Sequence, residues 1–175
     1  NIYFNENIQR LIQNYRSSFL QLGLQDLYSS DSEGKAKTLQ LLKMMDEYFP
    51  PDVIPTTDPE LDIQIGMIYK QAGQQDELRI RLDQIKKRRD LTLEDKVYIG
   101  QIYVNEFSDN DLSINYYQQL YEEYPYIPEI LYTLVQVYAK AERREEGSDA
   151  LELWLSSHPN DSQAIDWLSI LSLQN

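Results

Sequence analysis

The chain has 175 residues, 29 Asp+Glu against 16 Lys+Arg, a formal net charge of −13, no Cys and one His. The length holds one ordinary domain or a short repeat array, and the absence of Cys excludes disulfides, thiolate zinc sites and thiol catalysis together. Such acidity argues against a nucleic-acid backbone as partner, because phosphates need clustered cations, and no apolar run approaches the ~20 residues of a membrane helix.

From Asn5 to about Tyr28 the pattern predicts one long helix with an apolar stripe of Ile8, Leu11, Ile12, Tyr15, Phe19, Leu22 and Leu27. A turn at Ser29-Ser30-Asp31-Ser32 leads into a second helix, Glu33 to Tyr48. Pro50-Pro51-Asp52-Val53-Ile54-Pro55 then forms a stiff connector, short enough to leave the hairpin 1–50 stacked on the helices beyond it.

From residue 59 the chain is periodic. Gly66-Met67-Ile68-Tyr69 recurs as Gly100-Gln101-Ile102-Tyr103 after 34 residues, and Tyr138 follows Tyr103 after 35. A second series, Asp90, Pro125 and Pro159, steps by 35 and 34. Between these markers the triples Leu78/Leu82/Ile85, Ser113/Tyr117/Leu120 and Gly147/Leu151/Trp154 share offsets of four and three, one face of a helix. Glycine inside a helix costs about 1 kcal/mol relative to Ala. Its recurrence at Gly66 and Gly100 therefore predicts close helix–helix approach. Pro59, Thr92 and Pro128, each followed by acids, open the first helix of each copy, and Pro125 and Pro159 stop the second helices.

These residues resemble the tetratricopeptide repeat (TPR), a 34-residue helical hairpin; the third copy matches best, through Leu134, Tyr138, Gly147, Leu151, Trp154 and Pro159. The resemblance implies an all-α fold, an α-solenoid of about four antiparallel helical hairpins. Three TPR-like copies span 59–92, 93–127 and 128–161. A divergent hairpin (1–50) joins them through the connector 51–58, a capping helix covers 162–175, and the whole is one continuous domain. Three departures stand out. The usual early Trp is replaced by Asp62, Lys96 and Leu131, Asp90 stands where Pro is expected, and one extra residue enters the turn Phe107-Ser108-Asp109-Asn110.

In such arrays the first helices line a groove that accepts extended or helical peptides. By helical phase the peptide-binding residues here are Ile63, Met67, Lys70, Val97, Gln101, Asn105, Tyr132, Gln136 and Lys140. The places where some TPR domains clamp acidic C-termini hold Ile63, Met67, Tyr98, Glu129 and Thr133, without a cation among them. The expected partner is a protein or peptide whose segment is neutral or basic and carries apolar anchors. A separate feature is segment 76–90, with six cations against four acids, so that it carries +2 and the rest of the chain −15. Lys86, Lys87, Arg88 and Arg89 read either as a docking patch for anionic headgroups or an acidic partner, or as the complement of a helix dipole.

A second resemblance rests on residues 5–19 and on Met44 to Pro55. Both runs look like the soluble tail of bacterial multi-spanning membrane proteins similar to protein O-mannosyltransferases. It implies an extracytoplasmic (periplasmic) tail tethered to a membrane part outside this chain; the alternative is the cytoplasm. A start at Asn1, not Met, fits a segment of a longer protein. Catalytic chemistry is not legible: His158 stands alone before Pro159, no second His or Cys can complete a metal site, and Gly34, Gly73 and Gly147 form no phosphate loop. The sequence therefore predicts a non-enzymatic interaction module without cofactors. Its alternatives are an acceptor-binding part of a transferase site, or a structural or oligomerising spacer. The oligomeric state stays open.

Overall fold

Several helix starts are set by polar side chains that stand just ahead of an apolar run. The computed structural model describes residues 5–28, 32–56 and 58–172. Among them the chain forms α1 (Glu6–Leu27), α2 (Ser32–Tyr48), α3 (Pro59–Gln71), α4 (Gln75–Ile85), α5 (Leu93–Glu106), α6 (Asn110–Glu123), α7 (Pro128–Lys140), α8 (Arg144–Ser157) and α9 (Ser162–Ser172), with no strand. Asn5 caps α1 by accepting from Ile8 N at 3.0 Å. Asp58 caps α3 ahead of Pro59, and Thr92 with Asp95 forms a capping box on α5. Each satisfies an amide that the first helical turn leaves open. The predicted turn at Ser29 to Asp31 and the last three positions of the predicted capping helix lie outside the described residues.

The chain divides into two compact units, Asn1–Leu91 and Thr92–Asn175. The prolines of the connector lie inside the first unit, and the division falls where one repeat copy gives way to the next.

In the first unit α1 pairs with α2 and α3 with α4. The expected stripe on α1 needs correction. Its buried face is Ile12, Arg16, Leu20 and Gly23, while Ile8, Leu11, Tyr15 and Leu22 are 42, 52, 52 and 54% exposed. The physical reason is that Arg16, a charge in the middle of the true face, finds two backbone acceptors, one just before the connector and one within it: it donates to Phe49 O at 3.0 Å and to Ile54 O. Where α1 meets α2, the buried Thr38 hydroxyl is 2.8 Å from Gly23 O and 2.9 Å from Gly34 O. Leu20, Leu42, Met45, Ile65, Ile68 and Tyr69 form the core above this contact.

The second unit runs α5 to α9, each helix packed on the next. Ile114, Tyr117, Leu120, Ile130, Leu134, Val137 and Tyr138 make one core cluster; Leu131, Tyr132, Val135, Leu151, Trp154, Ala164 and Leu171 make another. All nine residues of the three sequence triples are buried. A Cβ on Gly66 would lie 2.9 Å from Leu78 Cδ1 and 3.1 Å from Leu78 Cα, and one on Gly100 would lie 2.8 Å from the Tyr117 ring. The close approach read from the repeat is therefore real at both glycines.

Asp161 locks α9 to its neighbours. Its Oδ1 accepts from Ala164 N at 3.1 Å, and its Oδ2 accepts from Tyr132 Oη at 2.5 Å and Trp154 Nε1 at 2.8 Å. These donors, Tyr132 first, hold its carboxyl below the ordinary Asp range. Asp161→Ala removes a cap and strands two aromatic donors, an expected loss of about 2–4 kcal/mol. Because the folded carboxyl is depressed, the stabilisation is present above the unfolded value near pH 4 and lost as pH falls through the folded one. Urea midpoints of wild type and variant, converging as the pH falls below the ordinary Asp value near 4, are the check.

Candidate interaction surface

In the second unit α5 presents Leu93, Glu94, Val97, Tyr98 and Gln101 around an open cavity of about 290 Å3. The spacing of 93, 97 and 101 keeps these residues on one helical face. Leu93 and Val97 are half-buried and pack against the Ile114–Tyr138 cluster, which makes them a fixed apolar floor. Tyr98 is 39% exposed and Gln101 is exposed. Charge is unevenly divided. The second unit holds fifteen acids against four Lys+Arg, a net −11, whereas the first holds fourteen against twelve, a net −2.

The groove positions expected from helical phase fall into three groups. Val97 and Gln101 line the cavity, and Asn105 and Gln136 are exposed. Met67 and Lys70 are half-buried, and Lys140 reaches back to donate to Val104 O at 3.3 Å, on the last turn of α5. Ile63 and Tyr132 have no surface to offer, at 1% and 7% exposure. Tyr132 turns inward because Asp161, 29 residues on, accepts its hydroxyl.

The basic run is mostly occupied. Lys86 pairs with Asp83 at 2.8 Å. Arg88 forks onto Asp90, Nε to Oδ1 at 3.1 Å and Nη2 to Oδ2 at 2.8 Å, and its Nη1 donates to Thr56 O at 3.1 Å. This explains why Asp90 can stand where the repeat has Pro: the carboxylate ends the hairpin by holding Arg88. Lys87 and Arg89 remain exposed, and Lys87 and Arg88 border a cavity of about 270 Å3 with Pro51, Asp52, Pro55 and Asp62.

One arrangement escaped the sequence reading, a buried charge network in the first unit. Arg81, 4% exposed, donates to Asp46 Oδ2 at 2.5 Å, lies 3.8 Å from Asp62 Oδ1 and sits 5.2 Å over the Tyr69 ring. Tyr69 Oη donates to Asp46 Oδ2 at 2.8 Å, and Thr56 Oγ1 donates to Asp62 Oδ2. Burial raises the Asp62 carboxyl against its hydrogen bond and the nearby arginines, and the same burial lowers Arg16. Arg81 Nε is buried without a partner among the described residues. The available signal was the pairing of two oddities, Asp62 at the early-Trp position and Arg81 among Leu78, Leu82 and Ile85. The same repeat position is solved differently in each copy. Lys96 holds Glu123 and lies 5.1 Å over the Tyr124 ring, and Leu131 is fully buried.

No known family model matches the chain, and no curated protein matches it in sequence. Among solved structures it is similar to MamA (AMB-1), at 15% identity over 93% of this chain and 83% of that one, with a TM-score of 0.51. The fold is TPR-like. A MamA mutant also aligns, at 15% identity over 93% of this chain and 88% of that one, with a TM-score of 0.47. Among the described residues no helix is long and apolar enough to cross a membrane, and no group of three or more His, Cys, Asp or Glu is placed to hold a metal ion.

Proposed function

We propose that this chain is a non-enzymatic, TPR-like interaction module that takes a neutral or basic peptide segment on the exposed face of α5. The observation that carries this reading is the cavity of about 290 Å3 with an apolar floor, in a unit of net charge −11. Leu93, Val97 and Tyr98 supply contact area for an apolar anchor. Gln101 offers one donor and one acceptor group to a peptide backbone, and Glu94 accepts from a Lys or Arg beside the anchor. An acidic peptide meets repulsion from a unit of net charge −11, with Lys140, held at Val104 O, as the cation placed at the end of this face.

Fluorescence anisotropy with labelled peptides tests the reading. A basic peptide carrying a Leu or Ile anchor is expected to bind with micromolar affinity and to weaken as salt rises; its acidic counterpart is expected to stay unbound. Tyr98→Ala and Gln101→Ala should each weaken binding by about five- to tenfold, roughly 1–1.4 kcal/mol. Full affinity in both variants would remove the site from this face. Placement as an extracytoplasmic tail of a membrane glycosyltransferase has only the resemblance of residues 5–19 and 44–55 behind it. Several of those residues have work in the fold: Asn5 caps α1, Arg16 holds the connector, Met45 is in the core and Asp46 binds Arg81.

A further inference from the structure

The outward quadrant of α1 is apolar from Ile8 to Leu22, and half-buried Asp26 follows one turn later. Ile8, Leu11, Tyr15 and Leu22 are exposed along it, and half-buried Phe19 lies on the same line. Its flank holds the neutral Asn7, Asn14, Ser18, Gln21 and Gln25 and one cation, Arg10, in a chain whose residues are 26% charged, so a strongly charged partner finds little complementary there. The stripe is symmetric about Tyr15. Ile8 precedes it by seven residues and Leu22 follows by seven; Leu11 precedes it by four and Phe19 follows by four. An antiparallel copy crossing at Tyr15 would set Ile8 over Leu22, Leu11 over Phe19 and Tyr15 over its own counterpart. Such self-complementarity is what a two-fold interface requires.

Charge favours the same occupant. Two copies of a −13 chain repel, and the repulsion is least where the charge is least. Residues 1–50 hold six acids against five Lys+Arg, a net −1, and the remainder holds −12. We propose that the α1 stripe is the contact of a symmetric, antiparallel homodimer. At 22 residues α1 is about 33 Å long, which places the contact at the small end of specific interfaces, so self-association is sought at protein concentrations from about 10 µM to 1 mM.

Sedimentation velocity should show the mass rising from 20.7 kDa toward twice that value across this range, more strongly at higher salt, where repulsion is screened. Tyr15→Glu, with unchanged far-UV circular dichroism, should stay monomeric. The natural absence of Cys allows a direct test of symmetry. Tyr15→Cys should oxidise to a covalent dimer, Ile8→Cys alone should not, and an equimolar mixture of Ile8→Cys and Leu22→Cys should. A wild type that stays at 20.7 kDa at 1 mM would overturn the proposal, as would association untouched by Tyr15→Glu or ready self-linking of Ile8→Cys. A monomer that floats with neutral phosphatidylcholine vesicles, and loses this on Tyr15→Glu, would assign the stripe to a lipid surface and overturn the dimer equally.

Discussion

Arg81→Ala is expected to destabilise the protein by about 3–5 kcal/mol, the cost of leaving buried charges without their partner. The guanidinium serves both Asp46 and Asp62 and also covers the Tyr69 ring, so one truncation removes three contacts. The pH dependence carries a definite sign. Asp62 is already raised in the folded state, chiefly by burial, and Arg81 is one of the groups that hold it down. Without Arg81 it rises further, so between the unfolded and folded values the native state binds more protons than the unfolded one, and stability falls as pH rises. The deficit of the variant should therefore be largest at pH 7 and shrink as pH is lowered toward the ordinary Asp value near 4. Urea melts at the two pH values decide it; an equal deficit at both would show that Arg81 matters through packing alone.

Gly100→Leu should cost about 2–4 kcal/mol, because a side chain there must displace the Tyr117 ring. A Cβ alone would lie 2.8 Å from that ring, which is 1% exposed and bounded by Tyr116 edge-on at 6.0 Å. Helix propensity works in the opposite direction by less than 1 kcal/mol, too little to change the sign. The urea midpoint should fall with little change in slope. An unchanged midpoint would mean that α5 and α6 can separate at no cost.

Helix positions were legible because their signals are local. Pro59 and Pro128 at first positions, the Thr92/Asp95 box and the prolines after α6 and α8 act within a few residues, and the buried triples come directly from the period. The face of α1 was not legible, because Arg16 is accommodated by carbonyls 33 and 38 residues away. A phase argument that treats Arg as outward must then rotate the stripe toward Tyr15 and Leu22. The candidate surface was half legible for the same reason. Val97 and Gln101 are readable from α5 alone, whereas the inward turn of Tyr132 depends on Asp161 beyond the end of α8, and Lys140 is drawn to a carbonyl of α5.

Three answers to one repeat position give the hairpins separate identities. Asp62 requires Arg81 and Thr56, Lys96 requires Glu123 and Tyr124, and Leu131 requires an apolar cage. Modules of a consensus array can be duplicated, deleted or shuffled because every seam is alike. Here a transplanted hairpin would carry an acid, a base or a hydrocarbon into surroundings cut for one of the others. The order of the copies is thereby written into their interiors, and recombination among them is penalised at the level of single side chains.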